Sequence, residues 1–268
     1  MPWFSRYVPL SLPRLWLREG AYFGSKVPTV GGTALFKVKA VAEARRNQRP
    51  AISWGAIMLK AIALVGQRQP ELRRCYMPWP WAHFYEHPHC VASVLVERQW
   101  QGEHAVFGDQ ITAPEQKSLR EIDQTLRRLR EAPVETIGGF RRLIRFTRLP
   151  PPLRRLMWRV VLYGSGRLRS SYVGTFGVNS IPSYGRGFPT QSAAIPSICF
   201  FYGSAEANGD MPIQIFFDHR VIDGVTVRRL LFDLFVVLRS DIIAELGGEP
   251  PTRETFIAEV IAELKAER

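Results

Sequence analysis

The chain alternates between stretches whose apolar positions have helical spacing and stretches with strand-like alternation. The clearest helix is predicted over residues 115–131, where one face is apolar and the other positions are mostly charged. Pro114 and Pro133 bound this stretch, as expected of residues that begin and end helices. The stripe predicts a surface helix packed on a sheet, and its members are Leu119, Ile122, Leu126 and Leu129.

The same two patterns predict the other elements. A helix follows Pro50, and four of its apolar residues share one face: Ile57, Ala61, Leu64 and Val65. The resulting order of strands and helices predicts an α/β fold. Further strands are predicted at 32–39, 89–98, 172–178, 196–203 and 211–218, helices at about 38–47, 224–240 and 251–266, and an irregular or short helical arm at 1–26.

Residues 136–205 form a strongly basic segment with no Asp or Glu and ten arginines. Apolar residues lie between many of the arginines, and Pro150, Pro151 and Pro152 divide any helix there into two. Three interpretations stay open: a solvated face whose apolar stripe caps the core, contact with an anionic membrane or lipid substrate, and an acidic protein partner. The arginines are Arg141, Arg142, Arg145, Arg148, Arg154, Arg155, Arg159, Arg167, Arg169 and Arg186.

Composition narrows the choice of partners. With 268 residues, 46% of them hydrophobic, the chain can bury the core of one large or two small domains, which excludes wholesale disorder. The net charge of +12 favours anionic partners, such as nucleic acid, anionic lipid, an acidic carrier protein or the phosphates of coenzyme A. No nucleic-acid-binding module is recognisable, so we expect no nucleic-acid partner.

Cysteine usage and hydropathy indicate the compartment. Cys75, Cys90 and Cys199 show no Cys-x-x-Cys spacing, which argues against a disulfide framework and a structural zinc site. The N-terminus lacks a signal-peptide pattern and no apolar run could span a membrane, so we expect a cytoplasmic protein. The histidines of WAHFYEHPHC lack convincing ligand spacing, and we expect a loop there and no metal.

The chemistry concentrates in residues 217–224, FDHRVIDG. Asp223 lies where the N-cap of the following helix belongs, so His219 lies in a tight turn between a strand and a helix. Such a position holds a side chain rigidly and exposes it to a cleft. The plainer alternative is that His219 is a satisfied polar residue and Asp223 only a cap.

DHRVIDG looks like the HxxxDG signature of chloramphenicol acetyltransferases and dihydrolipoamide acyltransferase catalytic domains, and its opening resembles the dihydrolipoamide branch. Other segments resemble that branch in the same order, over about 27–133 and 172–240. They are VPTVGGTALFKVKAVAEAR, ISWGAIMLKAIALVGQRQPELR, KSLREIDQTLRRLRE and GTFGVNS. The resemblance implies a mixed sheet flanked by helices, a single catalytic domain over 1–268, and a homotrimer with active sites between subunits.

The resemblance also implies roles for individual residues. His219 matches the general base, which takes the proton of the attacking group and whose imidazole pKa suits that task. Asp223 matches a structural aspartate that pairs with an arginine of the N-terminal arm, for which Arg18 is the candidate and Arg14 the fallback. The family's hydroxyl donor to the oxyanion is replaced by Asn179, with Ser180 next to it, and either residue could serve.

Two departures from the family bear on which molecule donates the acyl group. The resemblance begins within the first 30 residues, so we expect no lipoyl group on this chain. A basic insertion at about 135–170 has no recognised counterpart. Together they suggest a stand-alone enzyme that moves an acyl group from an acyl-CoA, the co-substrate, or from an acyl carrier protein to a hydroxyl, amine or thiol. The open alternatives are a catalytically silent scaffold and peripheral contact with an anionic membrane through 140–170.

Overall fold

The computed structural model describes residues 7–180, 195–206, 208–252 and 254, so most of the helix predicted at 251–266 lies outside it. The strands are β1 (Thr29–Lys37), β2 (Arg74–Met77), β3 (His83–Glu86), β4 (Val91–Trp100), β5 (Glu103–Thr112), β6 (Phe176–Ser180), β7 (Ile198–Tyr202) and β8 (Asp210–Asp218). The helices are α1 (Leu12–Gly24), α2 (Lys39–Arg46), α3 (Trp54–Arg68), α4 (Leu119–Glu131), α5 (Gly138–Thr147), α6 (Pro151–Arg159), α7 (Gly166–Val173), α8 (Gly224–Arg239) and α9 (Asp241–Glu245).

Six of these strands form one sheet, in the order β1-β8-β7-β6-β4-β5. β6 runs parallel to both of its neighbours, β4 and β7, while the other pairs are antiparallel. β2 and β3 form a separate hairpin. The predicted α/β fold with a mixed sheet flanked by helices is therefore confirmed.

The main core lies on the face of the sheet that α3, α4 and α8 cover. α3 is apolar around nearly its whole circumference and is buried along most of its length, as expected of a central helix. Ser53 caps its start, and a reciprocal pair of hydrogen bonds between Ser118 and Glu121 caps α4. α3 lies where it was predicted, after Pro50. α4 ends at the predicted Glu131 but begins at Leu119 rather than 115, because Ser118 caps it and Pro114 begins a separate short 3-10 helix.

A second, smaller core joins α1 to the basic insertion. The Trp158 ring is 2% exposed and stacks on Trp16 and Phe23, with ring centroids 4.8 Å and 5.5 Å apart, while the Phe146 ring meets it edge-on. Most of the apolar stripe of the insertion therefore packs inside the protein, as the first of the three interpretations predicted. Among the described residues, no helix is both long and apolar enough to cross a membrane.

Two backbone features of this region differ in how well the sequence predicted them. The proline run does divide the segment, because α5 ends at Thr147 and α6 begins at Pro151, a favourable first position. The strand predicted at 172–178 is wrong at its start, since α7 continues to Val173. Gly174 then turns the chain with φ +85°, and a Cβ there would lie 2.7 Å from the Val91 carbonyl oxygen.

A buried ion pair fastens α6 to α1. Both Glu19 and Arg154 are less than 5% exposed, and the Arg154 guanidinium lies 3.3 Å from the Glu19 carboxylate. Arg18, which lies at the surface, donates a shorter hydrogen bond of 2.7 Å to the same Glu19 carboxylate. Burial alone raises the pKa of Glu19, but the hydrogen bonds from Arg18 and Arg154 outweigh it and leave that pKa below its ordinary value of 4.5.

We expect Glu19→Gln to lower the free energy of unfolding by about 3 kcal/mol, because it leaves the buried Arg154 charge unpaired. The matched control Arg18→Gln removes a half-exposed partner and should cost less than about 1 kcal/mol. Urea denaturation measures both. Since the folded pKa of Glu19 is depressed, the difference between wild type and Glu19→Gln should persist at neutral pH and shrink as the pH falls below 4.5. Equal losses in the two variants would contradict this account.

Candidate active site

His219 follows the last residue of β8, and its backbone is fixed from both sides. Its N–H donates to the Pro28 carbonyl oxygen at 2.9 Å, and the N–H groups of Val221 and Ile222 close the turn on the Asp218 carbonyl oxygen. The imidazole is exposed, and its side chain has no hydrogen-bond partner within the described part of the chain. The turn therefore presents a well-anchored histidine whose ring nitrogens are available to a substrate.

Asp218 and Arg220 brace the turn, a pair that the motif contained but the sequence analysis did not single out. The Asp218 side chain is fully buried and accepts hydrogen bonds from Arg220 Nε at 2.9 Å and Nη2 at 2.7 Å. The hydrogen bond to Asp218 raises the pKa of Arg220, and its guanidinium lies 4.5 Å from the Tyr76 ring centroid. A bidentate, partly buried pair of this kind fixes the orientation of the turn.

Arg169 connects the basic insertion's neighbouring helix α7 to the same corner. Its side chain is buried and donates to the carbonyl oxygens of Tyr76 at 3.1 Å and Ile195 at 3.0 Å. Burial lowers the pKa of Arg169, while the thiol of Cys75 and the carboxylate of Asp218 act in the opposite direction. One arginine of the basic segment thus serves the interior and is not a surface charge.

Asp223 caps α8, as predicted. Its carboxylate accepts the Thr226 N–H at 2.7 Å, and this hydrogen bond is the main cause of its lowered pKa. The structure does not bring Arg18 to Asp223, because the neighbouring buried Glu19 takes its guanidinium at 2.7 Å. The fallback Arg14 pairs with Glu103 at 2.9 Å. The arm therefore supplies neither arginine, and Asp223 acts in this fold through the helix cap.

Asn179 and Ser180 are adjacent on β6 and point to opposite faces of the sheet, as strand geometry requires. Ser180 is exposed and lines a cavity on the α3 and α4 side, together with Tyr202, whose pKa is raised by burial. Asn179 faces a cavity on the other side. Its Oδ1 is buried and, among the described residues, has no hydrogen-bond partner.

A single chain cannot bring Asn179 to His219. Asn179 pairs with Phe201 on β7, which pairs with Gln214 on β8, so these three residues form one row across the sheet. His219 lies five residues beyond Gln214. Strand geometry converts this offset into about 17 Å along β8 and about 10 Å across two strand spacings, or roughly 20 Å in all.

Solved structures similar to this chain include dihydrolipoamide acetyltransferases. The Azotobacter vinelandii enzyme, in which the roles of a serine, a histidine and an asparagine in catalysis have been investigated, is 16% identical, with a TM-score of 0.65 over 91% of this chain and 94% of its own. A probable dihydrolipoamide acetyltransferase from Listeria monocytogenes is 14% identical, with a TM-score of 0.63 over 87% of this chain and 94% of its own.

The cubic core of a pyruvate dehydrogenase multienzyme complex is also similar, at 17% identity and a TM-score of 0.64 over 91% of this chain and 94% of its own. The chain has the fold of a dihydrolipoamide acyltransferase catalytic core. No protein-family model and no curated protein sequence matches it. The fold that the DHRVIDG resemblance implied is therefore confirmed by structure, at identities too low to carry an activity across.

The histidine-rich segment of this acyltransferase-like fold contains strand β3 of the β2–β3 hairpin and the loop after it, rather than the loop alone that was predicted. His83 Nδ1 lies 2.7 Å from the Trp81 carbonyl oxygen, and His87 Nδ1 lies 2.8 Å from that of His89. One ring nitrogen of each is thus engaged by the backbone. Within residues 7–180, 195–206 and 208–252, no three His, Cys, Asp or Glu side chains are grouped to hold a metal ion.

The capping role of Asp223 in the acyltransferase fold is testable. Asp223→Asn keeps a side-chain oxygen on the Thr226 N–H, so its melting temperature should equal that of the wild type. Asp223→Ala should lower the melting temperature by about 2–4 °C. The folded pKa of Asp223 is below 3.8, so the carboxylate's contribution is present above pH 3.8 and disappears as the pH falls further. Equal losses in the two variants, measured by calorimetry, would indicate an ion-pair role instead.

Proposed function

We propose that the chain is an acyltransferase that moves an acyl group from a coenzyme A or carrier-protein thioester to a hydroxyl, amine or thiol, with His219 as general base. The observation that carries this proposal is the anchored turn, which leaves an exposed imidazole on a rigid frame. Support comes from the acyltransferases that share the fold. The Azotobacter enzyme's histidine and asparagine have the same spacing along the chain as His219 and Asp223.

The proposed reaction assigns a step to each side chain. His219 takes the proton of the acceptor as its oxygen, nitrogen or sulfur attacks the thioester carbonyl carbon. The electron pair of the carbonyl moves to the oxygen, and the amide of Asn179 donates a hydrogen bond to this oxyanion. The intermediate then collapses, the carbon–sulfur bond breaks, and the leaving thiolate recovers the proton from the His219 imidazolium. No metal or redox partner enters the balance.

Asn179 is preferred to Ser180 as the oxyanion donor. Asn179 lines the predominantly apolar cavity, where a hydrogen bond from its Nδ2–H to an oxyanion is stronger than in water. Ser180 lies on the other face of the sheet, at the cavity lined by α3 and α4. The replacement of the family's hydroxyl by an amide keeps a donor at this position.

The separation of about 20 Å between Asn179 and His219 supports a homotrimer whose active sites lie between subunits. In such a ring, each site takes His219 from one subunit and Asn179 from its neighbour. The cubic core with the same fold is itself a multi-subunit assembly. A monomer of this chain would hold two half-sites and no complete one.

Acyl transfer from acetyl-CoA and octanoyl-CoA to dihydrolipoamide, followed by mass spectrometry, tests the function. We expect His219→Ala to lower the rate by about a thousandfold and Asn179→Ala by about a hundredfold, with Asn179→Ser recovering most of the loss because its hydroxyl is also a donor. His104→Ala, at an exposed histidine on β5, is the control. His219 is exposed too, so its loss should not change the melting temperature. An unaffected rate in His219→Ala would point to the catalytically silent scaffold.

A further inference from the structure

A cavity of about 490 Å³ lies between the sheet and the basic insertion, on the face that Asn179 occupies. Its walls come from α1, from β4 to β7 and from α5 to α7, and they are predominantly apolar. This volume lies within the range of about 300–1,000 Å³ that small-molecule sites occupy. The apolar side chains that line it include Trp16, Leu17, Val106, Phe146, Val161 and Phe201.

The polar groups in this cavity fall into two kinds. Arg142 and Gln110 are already paired, since Arg142 Nη2 donates to Gln110 Oε1 at 2.8 Å and its guanidinium lies over the Tyr172 ring at 4.6 Å. Asn179 Oδ1 and the indole N–H of Trp158 are buried and, among the described residues, have no partner. Trp158 is 2% exposed, so bulk water does not satisfy its donor. The rest of the lining is mostly apolar, so the cavity suits an apolar ligand whose polar end lies at Asn179.

The chemistry of the oxyanion links this cavity to the acyl group. The oxygen that Asn179 stabilises and the hydrocarbon chain of the acyl group are bonded to the same carbon atom. A carbonyl held at Asn179 therefore starts its chain beside the cavity that Asn179 lines. Gly177 and Cys199 are paired on β6 and β7 and lie on the face of the sheet that forms the floor of the cavity. Both are small residues, and burial raises the pKa of Cys199 to about 12, so the floor carries no charge.

We propose that this cavity holds the hydrocarbon chain of the donor, so that the protein acts on medium- or long-chain acyl thioesters. The inference rests on the acyl transfer proposed above and names its substrate class. It also gives the basic insertion a role, because α5 and α6 supply one wall and the stack of Trp158 on Trp16 holds that wall in place. The side of this wall that faces the cavity is predominantly apolar, whereas its outer side carries the exposed Leu153, Leu156 and Val160 beside the half-exposed Arg155.

Calorimetric titration with acetyl-CoA and octanoyl-CoA tests the proposal. Each buried methylene strengthens binding by about fourfold, so burial of even three methylenes makes octanoyl-CoA bind about sixtyfold more tightly than acetyl-CoA. Val106→Trp fills the cavity from β5, and Leu17→Trp fills it from α1, so that a folding defect in one variant does not end the test. Each should reduce the preference to within about fivefold, because little room for methylenes remains.

His104→Trp is the matched control, because His104 precedes Val106 by two positions on β5 but is exposed outside the cavity. It should keep the full preference. Equal binding of the two thioesters, or a preference that survives both fillings, would overturn the inference while leaving His219-dependent transfer intact. Acetyl and octanoyl thioesters of N-acetylcysteamine test the chain-length preference without the CoA group, so recognition of the acyl chain is measured apart from recognition of CoA. A chain-length preference there without CoA binding would keep the inference and remove CoA as donor, whereas no preference in any thioester would end it.

Discussion

The register of β6, β7 and β8 decides how far apart the two proposed catalytic side chains lie. Backbone hydrogen bonds place Asn179, Phe201 and Gln214 in one row, and His219 lies five residues beyond that row. A shift of register by one residue would move Asn179 to the other face and exchange it with its neighbour in the strand. The proposed intersubunit site depends on this register, and so do the placement of Asn179 and Ser180 on opposite faces and the proposed position of the acyl chain.

At Asp218 the strand β8 ends, and from there other interactions than strand pairing hold the chain in place. The buried Asp218–Arg220 pair, the Asp223 cap and the hydrogen bond from His219 N–H to Pro28 fix a turn that has no regular structure of its own. The proposed general base must keep its position when substrate binds, and these three interactions restrict the movement of the turn that carries it. Rigidity comes from Asp218, Arg220 and Asp223, which leaves the His219 ring free for chemistry.

Local patterns predicted the elements that carry strong local signals, such as α4 with its capping box and β8 leading into the His219 turn. β5 was not predicted, because His104, Gly108 and Asp109 weaken the period-two pattern of its buried residues. α7 was not predicted either, because its amphipathicity is weak and its end, before Gly174, resembles a strand. The missed elements lie at an edge or beside an irregular turn, where tertiary packing outweighs local preference.

The candidate site was only partly predictable for a related reason. His219, Asp223 and Asn179 could be found from the sequence because each belongs to a short contiguous motif. The distance between His219 and Asn179 could not, because it depends on the order of strands that are far apart in the chain. The partner of Arg18 was predicted as Asp223, but the adjacent Glu19 is buried and takes its charge. The proposed acyl cavity exists only when eight elements are packed together: α1, β4 to β7 and α5 to α7.

Mixing the two half-site variants tests the central claim most directly. Chains carrying His219→Ala and chains carrying Asn179→Ala, each inactive alone, are co-expressed with different tags, and assemblies that contain both are purified. If active sites form between subunits of a trimer, a site is complete when the subunit that supplies His219 carries Asn179→Ala and its neighbour carries His219→Ala. Each mixed trimer then holds one complete site out of three and restores about a third of wild-type activity. Mixed assemblies that stay as inactive as either variant alone would contradict the account.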